Sequence, residues 1–203
     1  MHEALVVVDL QTDFCPGGAL AVPDGDAIVP LVNRLLGDAA VRVLTADWHP
    51  PGHRSFAAAH AGKRAFDRGF VGGVEQVLWP EHCVQGTDGA AFHPRLHAEA
   101  ADMILRKGFR PGLDSYSAFF ENDRITPTGL EGYLESRGVD AVALVGLALD
   151  VCVAASALDA ARLGFRTRVV LPGCRAIDRD GSLAKALAAM RGAGVRLDDG
   201  PAT

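Results

Sequence analysis

The stretch that decides the fold is Ala141–Val153, AVALVGLALDVCV. Ala141 to Val145 is an unbroken apolar run of the length and character expected of a strand buried on both faces. Gly146 ends it, and the chain starts again toward an alanine-rich segment reaching Arg162. Asp150 is expected to be the N-cap of a helix there, since a short acidic side chain can accept from the free N–H groups of a first turn. Cys152 then falls in that first turn, where unpartnered N–H groups and the macrodipole favour negative charge. A thiol so placed is expected to ionise more readily and to act as a nucleophile. The competing reading is a small buried hydrophobe, the usual role of a free cysteine.

The rest of the chain repeats this strand-then-helix rhythm. Ala4 to Leu10 reads as a buried strand ending on Asp9, followed by a loop from Gln11 to Asp26. A helix is predicted over Asp26 to Leu36, and a second strand over Val41 to Ala46 leads into Asp47-Trp48-His49. Pro50 to Ala100 is irregular, with short helical pieces around Phe56 to His60 and His93 to Glu99. An excursion this long in a compact chain usually carries function. A third strand is predicted at Ala101 to Leu105, with Lys107 just past it and an aromatic-bearing loop over Gly108 to Asp123. A helix over Thr128 to Arg137 precedes the fourth strand at Ala141. A fifth strand at Thr167 to Leu171, a helix at Ser182 to Arg191 and a sixth strand at Val195 to Leu197 follow, and the tail Asp198 to Thr203 is expected to fray.

Alternating strands and helices predict an α/β protein, a three-layer α/β/α arrangement around a central parallel six-stranded sheet, with residues 1–203 as one domain. Ligands in such sheets sit at the carboxyl ends of the strands. Four strands end here in chemically capable residues: Asp9, Asp47 with His49, Lys107, and Cys152 beyond Gly146. Acid, ammonium and thiol together suit nucleophilic catalysis, the acid taking the thiol proton and returning it to a leaving amine. Asp47 and His49, two apart on an extended segment, share a face and suit a zinc, iron or manganese ion, with His53 or His82 as a third ligand.

Composition excludes several other classes. The 203 residues carry a net charge of −5 and are 49% hydrophobic and 22% charged, with a pI near 5.8, which argues against nucleic acid or an anionic membrane as partner. The longest apolar runs fall far short of the roughly 18 residues of a membrane span. The first residues lack the basic start of a signal peptide, so the expected compartment is the cytoplasm. The four cysteines form no CxxC pair, and a reducing compartment disfavours disulfides.

Five blocks carry a resemblance: VVVDLQTDFCPGGAL at 6–20, TADWHPPGHRSF at 45–56, WPEHCVQGT at 79–87, KGFRPGLDSYSAFF at 107–120 and GLALDVCV at 146–153. In kind and order they resemble the nicotinamidase branch of the isochorismatase-like cysteine hydrolases. The resemblance implies hydrolysis of nicotinamide to nicotinate and ammonia through a cysteine thioester, in pyridine nucleotide (NAD) salvage. It implies Asp9, Lys107 and Cys152 as the catalytic triad, and Asp47, His49 and His82 as ligands of one divalent metal ion, zinc first and iron or manganese next. It further implies a cis bond between Leu147 and Ala148, an oxyanion hole from the amides of Ala148 and Cys152, and Phe14, Trp79 and Tyr116 as walls for the pyridine ring. The partner expected is the small-molecule substrate, with self-association left open. Leu149 and Val151 depart from the family pattern, where many members carry Thr and an aromatic residue or His. The alternatives are a relative acting on a carbamoyl or ureido group, and a non-enzymatic reactive-thiol protein.

Overall fold

The computed structural model describes residues 2–200. The strands are β1 (Glu3–Val8), β2 (Val41–Asp47), β3 (Arg68–Val71), β4 (Val74–Val77), β5 (Met103–Lys107), β6 (Ala141–Gly146), β7 (Arg166–Cys174) and β8 (Arg196–Asp198). The helices are α1 (Val29–Asp38), α2 (Leu130–Ser136), α3 (Ala154–Arg162) and α4 (Ser182–Gly192). Six strands form one parallel sheet in the order β5-β2-β1-β6-β7-β8, and β3 and β4 form a separate antiparallel hairpin.

Alternation along the buried strands builds the layers, because successive side chains of a strand point to opposite faces. Val142 and Leu144 of β6, with Ala4, Val6 and Val8 of β1, pack with Leu130 and Leu134 of α2, Ala157 and Ala160 of α3 and Met190 of α4. Their neighbours Ala143 and Val145, with Leu5 and Val7, pack with Val29, Val32 and Leu36 of α1. Both faces of the sheet are therefore covered, and the long apolar run at 141–145 needs no polar residue.

The expected helix at Asp26 opens instead as a 3-10 turn over Gly25–Ile28, and α1 starts at Val29 with Pro30 in its first turn, where a missing N–H leaves no bond unmade. The excursion after Pro50 holds single 3-10 turns at Ala57–Ala59, Asp88–Ala90 and Ala98–Ala100, together with the β3–β4 hairpin, which strand periodicity did not reveal. Within the tail, Asp198 is the last residue of β8 and pairs with Arg168 and Arg196, so fraying does not begin there. Residues 201–203 lie outside the described residues.

Asp150 does not cap α3. Residues Leu149–Val153 form one wide turn of the π type ahead of Ala154, with Val153 N–H donating to Ala148 O across five residues. The widened entry turns the Asp150 carboxylate toward the loop before α4, where it accepts from Ile177 N–H, Asp178 N–H and the Ser182 hydroxyl. It fastens two loops at the rim of the sheet.

Gly146 sits at φ +120°, and a Cβ there would lie 2.1 Å from Val8 O. Only glycine lets β6 leave the sheet this close to β1, which brings the turn bearing Cys152 against Asp9. Gly146→Ala is expected to destabilise the protein by about 3 kcal/mol or more, read as a fall in the urea midpoint with an unchanged slope.

Candidate active site

Asp9, Asp47, Lys107 and the turn after Gly146 come from β1, β2, β5 and β6, four consecutive strands at one edge of the sheet. Asp47 and Lys107 are register partners on adjacent parallel strands, so their side chains leave the sheet on the same side. Asp9 follows β1 at φ 46°, which aims its carboxylate along the same edge. Thr45 donates to Asp9 Oδ1 (2.6 Å) and accepts from Asp9 N–H (3.2 Å).

Lys107 is the hub. Its fully buried Nζ touches Asp9 Oδ2 (2.8 Å) and Asp47 Oδ1, donates to Ser115 O (2.9 Å), and lies 3.7 Å from Cys152 Sγ. The oxygens of Asp9 and Asp47 and the Cys152 sulfur all fall within 4.8 Å of one another. Asp9 Oδ2 is held by the ammonium as an ion pair, with no other donor on it. That leaves a buried lone pair beside the thiol.

Burial sets the proton affinities. It pushes the Asp9 carboxyl up, and the Asp47 charge adds to it against a partial offset from Lys107. Burial works against charge on Asp47 as well, but Lys107 and the two imidazoles outweigh it and hold that carboxyl well below the usual range. Lys107 resists desolvation through Asp47 and Asp9 and stays firmly protonated. The Cys152 thiol is raised well above its ordinary value, by burial first and then by Asp9 and Asp47, with Lys107 countering in part. This runs against the expectation that the thiol ionises more readily: one ammonium does not overcome desolvation and two carboxylates. The sulfur lies next to a carboxylate that can accept its proton.

The metal-type residues converge beside this group. His49 N–H donates to Cys83 O and Gln85 N–H to His49 O, so the segment bearing His82 is laid along the one bearing His49. Ligand atoms of Asp47, His49 and His82 lie within 4.8 Å of one another. His49 Nδ1 bonds to Gly108 O and His82 Nδ1 to Pro80 O, both at 2.8 Å. Each ring thus donates from Nδ1 and turns Nε2 toward Asp47 Oδ2, at 3.6 and 3.7 Å. A backbone acceptor behind each imidazole is the arrangement that orients metal-binding histidines. Charge agrees: the buried carboxyl groups of Asp9 and Asp47 share one ammonium, an excess that a divalent ion would offset. The residues fit a metal ion. His53 packs against His49, ring centroids 4.5 Å apart, and has a ligand atom within 4.8 Å of His49 and Asp114, but its Nδ1 accepts from Ser55 and its Nε2 donates to Arg110 O (2.8 Å), so both ring nitrogens are already engaged.

A cavity over Cys152 is lined by Phe14, Leu20, Asp47, His49, Trp79, His82, Asp114, Tyr116, Ala148, Val151 and Ile177. Trp79, Tyr116, Val151 and Ile177 also line an open groove of about 990 Å³ next to it. The Leu147–Ala148 bond is cis. Ala148 lines the cavity beside Cys152, and Phe14, Trp79 and Tyr116 are among its walls, as the resemblance implied. Sequence reasoning missed Gln11, Thr45, Asp114 and Ser115. Gln11 brackets Asp47, accepting from its N–H and donating to its C=O, both at 2.8 Å. A fully buried glutamine just past a strand end is the only signal that pointed to it.

The model of the isochorismatase domain matches residues 3–199. A curated nicotinamidase of Acinetobacter baylyi is 50% identical over 193 residues, 95% of this chain and 90% of that protein. The solved Acinetobacter baumanii nicotinamidase superposes with a TM-score of 0.95 at 52% identity, covering 97% of this chain and 95% of the other. A pyrazinamidase of Pyrococcus horikoshii, solved in complex with zinc, superposes with a TM-score of 0.78 at 36% identity over 97% and 98% of the two chains. Among the described residues no helix is long and apolar enough to cross a membrane. By sequence and by fold alike, the chain belongs to the isochorismatase-domain family.

Proposed function

We propose that this protein is a nicotinamidase, hydrolysing nicotinamide to nicotinate and ammonia as one hydrolase domain serving pyridine nucleotide salvage. The observation that carries the reading is a cavity under aromatic walls that holds both the Cys152 thiol and the Asp47–His49–His82 cluster, with the Asp9 carboxylate within 4.8 Å of the sulfur behind it.

Phe14, Trp79 and Tyr116 hold the pyridine ring with its carboxamide over Cys152. The Cys152 proton passes to Asp9 Oδ2 as the sulfur attacks the carboxamide carbon. Charge gathers on the amide oxygen, and the N–H groups of Ala148 and Cys152 receive it, a contribution of a few kcal/mol in comparable sites. Asp9 returns the proton to the departing nitrogen, the C–N bond breaks, and ammonia leaves a thioester. Asp9 then takes a proton from water as its oxygen attacks the thioester carbon, and the Cys152 sulfur leaves and is reprotonated. Lys107 keeps its charge throughout and stabilises whichever of Asp9 or Cys152 is anionic. Asp47, His49 and His82 would hold a divalent ion, which we assign as zinc and which would supply a Lewis acid at the ring end of the substrate.

Metal-loaded protein is expected to release one ammonia per nicotinate formed; no release from such protein rejects the reading. His82→Ala is expected to weaken zinc binding by about 100-fold or more, measured by calorimetric titration of chelator-treated protein. Asp47 draws a proton onto His49 against the effect of burial, at the nitrogen a metal ion needs. Zinc affinity should therefore rise with pH.

A further inference from the structure

Gln76 on β4 is buried, and the reaction as derived above does not use it. Its Nε2 donates to Asp114 Oδ2 (2.6 Å) and its Oε1 accepts from Asn122 Nδ2 (2.8 Å). Asp114 Oδ1 accepts from Ser115 N–H, and Asp114 O from Asn122 N–H. Asn122 Oδ1 accepts from Tyr116 N–H (2.9 Å), and the Tyr116 hydroxyl accepts from Trp79 Nε1 (3.0 Å). One amide therefore clamps both ends of the segment 114–122. That segment presents the Ser115 carbonyl to Lys107 and the Tyr116 ring to the cavity.

We infer that Gln76 is a positioning residue for the ring-binding wall: it sets Tyr116, and through it Trp79, by fixing Asp114 and Asn122. The hairpin β3–β4, outside the main sheet, thereby has a task at the site. The inference rests on the cavity taking a pyridine ring. Polarity makes it testable, because donors and acceptors are matched at every link. Gln76→Glu sets two carboxylates against each other. Asp114→Asn, with its Oδ1 still held by Ser115 N–H, turns an NH2 toward the Gln76 NH2. Combining the two restores a donor facing an acceptor, now from Asn at 114 to Glu at 76, and Glu at 76 still accepts from Asn122.

The experiment is a double-mutant cycle on zinc-loaded protein. Each single variant is expected to raise KM for nicotinamide about tenfold or more with kcat changed less than about threefold, the double variant returning KM to within about threefold of wild type. Trp79 emission, read in a Trp48→Phe background without substrate, should shift in both single variants as it does in Tyr116→Phe, and recover in the double variant. Single variants with unchanged KM and emission, or a double variant no better than the singles, overturn the inference. Inactivity of the wild type toward nicotinamide would refute the assigned reaction alone, since the emission cycle still reads the clamp.

Discussion

Cys152→Ala is expected to lower the rate of ammonia release from nicotinamide by at least about 10⁴-fold while leaving fold and metal content intact. The size follows from the proposed role: without the sulfur no thioester forms, and a nucleophile acting as a unit with its base takes nearly all the chemistry with it. Structural damage should be small. Cys152 is buried among Leu149, Val153 and Ala154, and removing one sulfur from such a site costs about 1 kcal/mol. The variant thus separates two ways of cleaving the amide. If a metal-bound water attacked the carboxamide directly, zinc held by Asp47, His49 and His82 would sustain much of the rate without Cys152. Activity within about tenfold of wild type, at equal zinc content and thermal midpoint, would rule out the thioester route. The raised proton affinity of the thiol sharpens the expectation, since the sulfur depends on Asp9 to accept its proton. Asp9→Asn should accordingly approach the same residual rate without the sulfur being touched.

Much of this was legible in the chain because it resides in strand ends. An apolar run closed by a glycine or an acid marks where a parallel strand stops, and parallel strands stop at one edge. Asp9, Asp47 and Lys107 could therefore be brought together from periodicity alone, and neighbouring registers such as Asp47 with Lys107 do the rest. His82 is different. It reaches His49 through backbone bonds between two irregular segments, Cys83 O with His49 N–H and His49 O with Gln85 N–H, and no spacing in the sequence encodes them. Only the family resemblance singled it out. The π-type turn that redirects Asp150 was hidden for a related reason: Leu149–Val153 is compatible with an ordinary first helical turn. The wide turn follows directly on the close approach of β6 to Val8 O at Gly146, a tertiary feature that no local pattern carries. The proton affinity of the thiol moves opposite to the local reading, because a helix terminus is a local feature, whereas desolvation and two carboxylates from other strands appear only once the chain has folded.

Lys107→Met is expected to abolish activity, by about 10³-fold or more, and to destabilise the protein by about 3–5 kcal/mol, the usual consequence of removing one partner from a buried charge cluster. The ammonium is fully buried between Asp9 and Asp47, and methionine fills similar volume without charge, so the loss is electrostatic and not a cavity. Its pH dependence follows from the signs. In the wild type Asp47 has a depressed folded-state pKa, burial being outweighed by Lys107 and the imidazoles. It contributes stability above its unfolded value of about 3.9, lost as pH falls through the folded value. In the variant, burial and mutual repulsion act unopposed by the ammonium, and Asp9, already raised beside Lys107, rises further. A carboxyl with a raised folded value contributes its stability below the unfolded value and loses it as pH climbs through the folded one. The gap between the two proteins should therefore be widest near pH 7–8 and shrink steadily toward pH 4. Urea midpoints measured in chelator, which keeps the pH dependence of metal binding out of the comparison, read this directly. A gap equal at pH 5 and pH 8 would mean that the buried ammonium does not balance these carboxylates, and the role given to Lys107 in steadying Asp9 and Cys152 would fall with it.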